Sequence, residues 1–162
     1  MNSETEFFES APTIRRRPVL VVEEATSDFR GIAEILAKAQ LEALHAGSAA
    51  DALFLARVES PSLVLLNPEL SELDGCRITK ALRSHPYTES IPIVFLSSRR
   101  DVEIRRDAFE AGAADYIAKP FDTLEFTSRI TQLIRLHELE AMRKANTRRL
   151  EDAVAAKTRQ LS

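Results

Sequence analysis

The chain has 162 residues, enough for one well-buried domain of ~100–150 residues with further elements attached. Its 44% hydrophobic and 29% charged content is that of an ordinary globular protein, and no apolar stretch nears the ~20 residues of a membrane-spanning helix. Twenty-two basic and twenty-five acidic residues leave a net charge of −3 with the signs interspersed, which argues against a nucleic-acid surface; a single cysteine, Cys76, excludes an intrachain disulfide and a cysteine-rich metal site.

Residues 1–17 are polar and lack periodicity, so they are predicted to form a flexible leader without the apolar core of an export signal. A cytoplasmic location is the corresponding expectation. Val19–Val22 is the first apolar run of strand length. Ile32, Ile35, Leu36 and Ala39 then share one helical face at i, i+3, i+4 and i+7. A weaker strand signal covers Leu41–His45. Ser48 stands where the cap of a second helix is expected, with Ala52, Leu55 and Ala56 on its apolar face. Leu63–Leu66 reads as a strand, Cys76–Leu82 as a helix and Ile91–Leu96 as the fourth strand. Asp101 is expected to cap a fourth helix that Gly112 ends, and Tyr116–Ala118 is the last strand. Continuous Val/Ile/Leu runs without polar alternation point to strands covered on both faces. The βα repeats therefore predict an α/β fold, a doubly wound five-stranded parallel sheet whose crevice lies at the carboxyl ends of the strands.

Polar residues follow those strand ends: Glu23 and Glu24 after the first, Asn67 after the third, Ser97 after the fourth, Lys119 and Pro120 after the fifth. Taken singly, such residues are mostly solvated surface; their convergence on one crevice makes them a candidate site. His45, His85 and His137 share no metal-ligand spacing. With neither a nucleophile–base pair nor a glycine-rich phosphate loop, an enzyme is not indicated and no catalytic residue is predicted.

Three stretches, LVLLNP with a downstream LDG, IPIVFLSS and EAGAADYIAKPF, make residues 18–136 resemble the receiver domain of bacterial two-component response regulators, the CheY-like superfamily. The resemblance implies a flavodoxin-like strand order 2-1-3-4-5. It also implies an acidic pair and an aspartate that hold Mg²⁺, the aspartate then taking a phosphoryl group. A serine or threonine and a lysine contact that group, and an aromatic three places before the lysine swings inward. Carried over, these positions are Glu23, Glu24, Asn67, Ser97, Lys119 and Tyr116, and the Lys119–Pro120 bond is expected to be cis.

Two positions depart from that pattern. An acyl phosphate needs a carboxylate nucleophile, and the carboxamide of Asn67 is uncharged and attacks poorly through oxygen. The glutamates are each one methylene longer than the usual aspartates, and Mg²⁺ demands near-ideal octahedral geometry. No metal or cofactor is therefore predicted, with Glu24 the only place for weak Mg²⁺ binding. Lys119 is expected to pair instead with Glu23 or Glu24 and with the Asn67 carboxamide oxygen. The favoured reading is a degenerate receiver, a pseudo-receiver that works without phosphorylation as a protein-interaction and dimerisation module in signal transduction. The alternative is a phosphoryl-accepting receiver carrying an inactivating Asn at the acceptor position.

Beyond Asn67, Ser71 replaces a proline common in the family, which predicts a more mobile loop, and Asp74–Gly75 keeps a turn signal. From near Leu124 the sequence runs to Ser162 without proline or glycine. Leu124, Ile130, Leu133 and Ile134 are predicted to pack on the sheet. Residues 137–162 read as a helical linker leading toward an output domain outside this sequence. There Leu136, Leu139, Arg143, Asn146, Leu150, Ala153 and Lys157 alternate steps of three and four, a coiled-coil pattern. Expected partners are a second copy of the chain and an output domain or signalling protein, with neither direct nucleic-acid contact nor a membrane. The dimer would use Leu139, Asn146 and Leu150 of the last helix, the face of the fourth helix, fifth strand and fifth helix with Arg105 and Arg106, or both.

Overall fold

The structure is a computed structural model that describes residues 16–69 and 75–161. Most of the predicted leader, Ser71 and Asp74 lie outside the described residues. Five strands alternate with five helices: β1 Val19–Val22, α1 Thr26–Lys38, β2 Ala43–Ala46, α2 Ala49–Glu59, β3 Leu63–Leu66, α3 Gly75–Arg83, β4 Ile93–Ser97, α4 Val102–Ala111, β5 Asp115–Ala118 and α5 Thr123–Leu161. The strands form one parallel sheet in the order β2-β1-β3-β4-β5, with Val19 opposite Ala43 on one side and Leu63 on the other.

Alternation along each buried strand feeds two cores. Leu20, Val22, Val64 and Leu66 pack with Ala52 and Ala56 of α2, Ile78 and Leu82 of α3 and Ala108 of α4. Val19, Val21, Leu63 and Leu65 face the other way, onto Ile32 and Leu36 of α1 and Phe126, Ile130 and Ile134 of α5. Each such leucine or isoleucine contributes roughly 1.5–3 kcal/mol on burial. The alanines of α2 let that helix lie close to β1.

The ends of the elements explain where prediction and structure part. Ser48 caps α2 by accepting from the Asp51 N–H at 3.1 Å. Asp101 occupies the equivalent place before α4, but its carboxylate takes Arg99 at 3.3 Å and no α4 amide. Gly112 ends α4 with φ of 115°, a left-handed conformation that favours glycine. A Cβ there would also meet Arg83 Cγ at 3.0 Å. Arg83, at the end of α3, donates to the carbonyls of Gly112 (3.1 and 2.9 Å), Ile91 (2.6 Å) and Glu89 (2.8 Å). It staples α3 to the entries of β4 and β5, and its desolvation lowers its pKa from the ordinary value.

Leu124 does not pack on the sheet; it is 75% exposed, and Phe126 is fully buried in its place. Two helical residues subtend about 200°, so Leu124 points away from the stripe that Phe126, Ile130 and Ile134 form at i, i+4 and i+8. Leu41 is buried but precedes β2, and Ile91 likewise precedes β4, from which Pro92 separates it. From Leu136 onward the large apolar side chains of α5 are exposed.

Candidate functional site at the strand ends

Backbone hydrogen bonds join neighbouring strand ends, β1 to β2, β3 to β1 and β5 to β4. Glu23 N–H donates to the Ala46 carbonyl (3.0 Å), Asn67 N–H to Val22 (3.1 Å) and Lys119 N–H to Ser97 (2.8 Å). The sheet thus places Glu23, Asn67, Ser97 and Lys119 side by side. The adjacent glutamates separate: Glu23 is 4% exposed and turned into the crevice, while Glu24 is exposed. His45, at the end of β2, donates from Nε2 to the Glu23 carbonyl at 2.6 Å and stacks on Phe29 with centroids 4.4 Å apart, a structural role beneath the site.

A buried carboxylate needs donors. Glu23 Oε1 accepts from Asn67 Nδ2 at 2.9 Å, and Glu23 Oε2 lies 3.9 Å from Lys119 Nζ. The predicted pairing of Lys119 is therefore with Glu23. The Asn67 oxygen takes a different partner: Oδ1 accepts the Glu69 N–H at 2.9 Å, closing an Asx turn. Reversing the carboxamide would set oxygen against carboxylate and NH₂ against N–H, so the two contacts fix its orientation. The following loop returns closely, since Gly75 N–H donates to the Pro68 carbonyl at 3.1 Å. A Cβ on Gly75 would stand 2.5 Å from Leu66 Cδ2 and 2.7 Å from Pro68 Cα, which only glycine avoids.

This arrangement also tests the fit of Mg²⁺. A divalent ion requires oxygen lone pairs. Asn67 presents N–H protons toward Glu23, and its one ligating atom is held by the Glu69 amide. The carboxylate that would anchor the ion already has Asn67 and Lys119 as partners. As arranged, Glu23 and Asn67 do not fit an octahedral Mg²⁺ site.

Ser97 is buried, accepts from the Arg99 N–H at 3.1 Å and donates to Glu69 Oε1 at 3.4 Å. Glu69 Oε1 is also 3.7 Å from Arg99 Nε. Tyr116 is inward, 3% exposed, with its hydroxyl donating to the Arg99 carbonyl at 2.7 Å. Its ring packs near Phe95, and the Arg105 guanidinium lies 5.5 Å from the ring centroid, tying Tyr116 to α4. The Lys119–Pro120 peptide is cis.

Glu69 and Arg99 are the residues that sequence reasoning missed. Each stands two places past a strand-end residue already singled out, Asn67 and Ser97, and that repeated offset was the available signal. The proposed interface residues are not part of the pocket. Arg105 and Arg106 lie on the exposed side of α4; Leu139, Asn146 and Leu150 lie on the exposed length of α5. Asp115 and Arg129 form a bidentate pair at 2.9 Å that joins β5 to α5 on the same face as Arg105. Among the described residues, no helix is long and apolar enough to cross a membrane.

The sequence pattern of the response regulator receiver domain matches residues 19–131. The probable transcriptional regulator ycf27 of Cyanophora paradoxa is 32% identical over 134 residues, covering 83% of this chain and 55% of that protein. The transcriptional regulatory protein SrrA of Staphylococcus aureus is 32% identical over 117 residues, covering 72% of this chain and 47% of that one. This chain thus spans about half the length of these two relatives. A crystal structure of a candidate response regulator from Chloroflexus aurantiacus matches with a TM-score of 0.70 at 29% identity, covering 74% of this chain and 98% of that one. Domain match, strand order and the crevice at the strand ends agree: the chain belongs to the response regulator receiver domain family, regulatory domains of two-component signal transduction.

Proposed function

We propose that this receiver signals without phosphorylation at Asn67, as a regulatory protein-interaction and dimerisation module of a cytoplasmic signalling protein. One observation carries the reading. The Asn67 carboxamide donates to Glu23 Oε1 at 2.9 Å, so the crevice satisfies its buried carboxylate internally, with an uncharged group where the family's phosphoryl acceptor stands. A carboxamide has no anionic oxygen to attack phosphorus. The exposed apolar side chains of α5, Leu136, Leu139 and Leu150, support self-association through that helix, and Arg105 and Arg106 offer a second face on α4. An output domain or signalling partner would then read the arrangement of the two copies.

The test is exposure of the wild-type chain and the Asn67→Asp variant to a small phosphodonor with Mg²⁺, followed by intact-mass measurement and sedimentation. Wild type is expected to gain no phosphoryl mass and to keep the same association state with or without the donor. Phosphorylation of wild type in the crevice, or a monomer at tens of micromolar, would overturn the reading. Retention of Lys119 and Ser97 beside Asn67 favours a second reading, a phosphoryl-accepting receiver disabled at one position. Full labelling of Asn67→Asp, with a changed association state, would select it.

A further inference from the structure

We infer that Glu69 is a positioning residue: its carboxylate is a built-in anion that holds Ser97 and Arg99 and thereby keeps Tyr116 inward. The contacts form one chain. Asn67 Oδ1 fixes the backbone of Glu69. Glu69 Oε1 accepts the Ser97 hydroxyl at 3.4 Å and lies 3.7 Å from Arg99 Nε. The Arg99 N–H returns to Ser97 Oγ at 3.1 Å, and the Arg99 carbonyl takes the Tyr116 hydroxyl at 2.7 Å. Tyr116 in turn lies under Arg105 of α4. A carboxylate in the loop after β3 is thus connected, through the loop after β4, to the outer face of α4. The inference rests on the proposed reading, in which no phosphoryl group competes with Glu69 for the Ser97 hydroxyl.

The Glu69–Arg99 pair is partly exposed and its contacts are long, so it biases a population rather than locking one state. That makes it measurable. The sequence has no tryptophan and two tyrosines, and Tyr87 is exposed, so Tyr87→Phe leaves Tyr116 as the sole tyrosine emitter. In that background, Glu69→Gln is expected to raise the acrylamide quenching constant of Tyr116 about two- to five-fold, with an unchanged urea midpoint. Raising salt to about 1 M should increase quenching in the Tyr87→Phe parent and leave the Glu69→Gln variant flat, because only the parent has the ion pair to screen. Combining Glu69→Gln with Arg99→Gln should add little beyond either change alone. Equal quenching and equal salt response in parent and variant would overturn the inference. Intact mass after phosphodonor treatment is read on the same samples. Labelling of the parent sinks the phosphorylation-independent reading, whereas an unlabelled parent with unmoved Tyr116 sinks the role of Glu69 alone.

Discussion

The two halves of α5 share one backbone helix and have opposite surroundings. Phe126, Ile130 and Ile134 are fully buried against the sheet, whereas Leu139, Leu150 and Val154 are 56%, 68% and 64% exposed. In the first half, apolar residues at i, i+4 and i+8 enter the core that α5 shares with α1 and the sheet, against β3, and tertiary packing stabilises the helix. In the second half the sparser leucines, Leu136, Leu139 and Leu150, face water. Isolated helices owe little stability to propensity alone, so the long exposed segment, whose three-and-four seam mixes Leu136, Leu139 and Leu150 with Arg143, Asn146 and Lys157, is the part on which the proposed self-association rests.

The sharpest way to break this contrast is to weaken the body alone. Arg83→Ala removes donors from three carbonyls and is expected to cost about 2–4 kcal/mol in urea unfolding, with the self-association of the remaining folded protein unchanged. A loss under about 0.5 kcal/mol would show that the staple is dispensable.

At the site, Asn67→Asp sets a carboxylate where Nδ2 now donates to Glu23 at 2.9 Å. In the presence of a chelator, the repulsion is expected to cost about 1–3 kcal/mol, with millimolar Mg²⁺ recovering part of it. Equal unfolding midpoints for wild type and variant in chelator would contradict the donor role given to Asn67.

Acting on the outer half alone, Leu139→Asp with Leu150→Asp should weaken self-association at least about ten-fold by sedimentation while moving the stability of the body by less than about 0.5 kcal/mol. Unchanged association would shift the interface to the face of Arg105 and Arg106, where reversing both arginines to glutamate is the complementary measurement.

The smallest effect lies at the junction of the two halves. His137 is held below its ordinary pKa, first by burial and then by the Arg17 charge, with Glu140, the Ser62 backbone and Glu138 acting the other way. The neighbouring Arg16–Glu138 pair, at 3.9 Å, belongs to the same contact. A depressed folded pKa means that the unfolded chain takes the proton first. The contribution of His137 is therefore present above the ordinary histidine value of about 6.5 and is lost as pH falls below it toward the folded value. His137→Gln should flatten that part of the stability profile between pH 7.5 and 5.5, and parallel profiles would remove the junction from the account.

Much of this was legible beforehand. Four of the five strands were clear apolar runs, and β1 and β3, buried along their whole length, have the predicted boundaries, whereas the weaker signal at Leu41–His45 corresponds to β2 Ala43–Ala46. The crevice residues were legible because each follows such a run. Leu124 failed because a helical face read from one starting residue can be rotated by two positions, and only contact with the sheet selects Phe126. Asp101 failed because Arg99, two places earlier, competes for its carboxylate. Glu69 and Arg99 were not assigned to the site because an exposed glutamate and arginine in loops stand out only by their shared offset from Asn67 and Ser97.

By itself, the sequence determined the order of the elements, the parallel sheet and the uncharged residue at the acceptor position, since these follow from apolar run length and side-chain chemistry. Only the tertiary structure decided which way the Asn67 carboxamide faces, that Glu23 turns inward while Glu24 turns out, and that Glu69 reaches Ser97 and Arg99. Those outcomes depend on which donors and acceptors the sheet brings within about 3 Å of one another. Hydrogen bonding across strand ends that lie 22 to 44 residues apart in the chain is set by packing, which local periodicity does not encode.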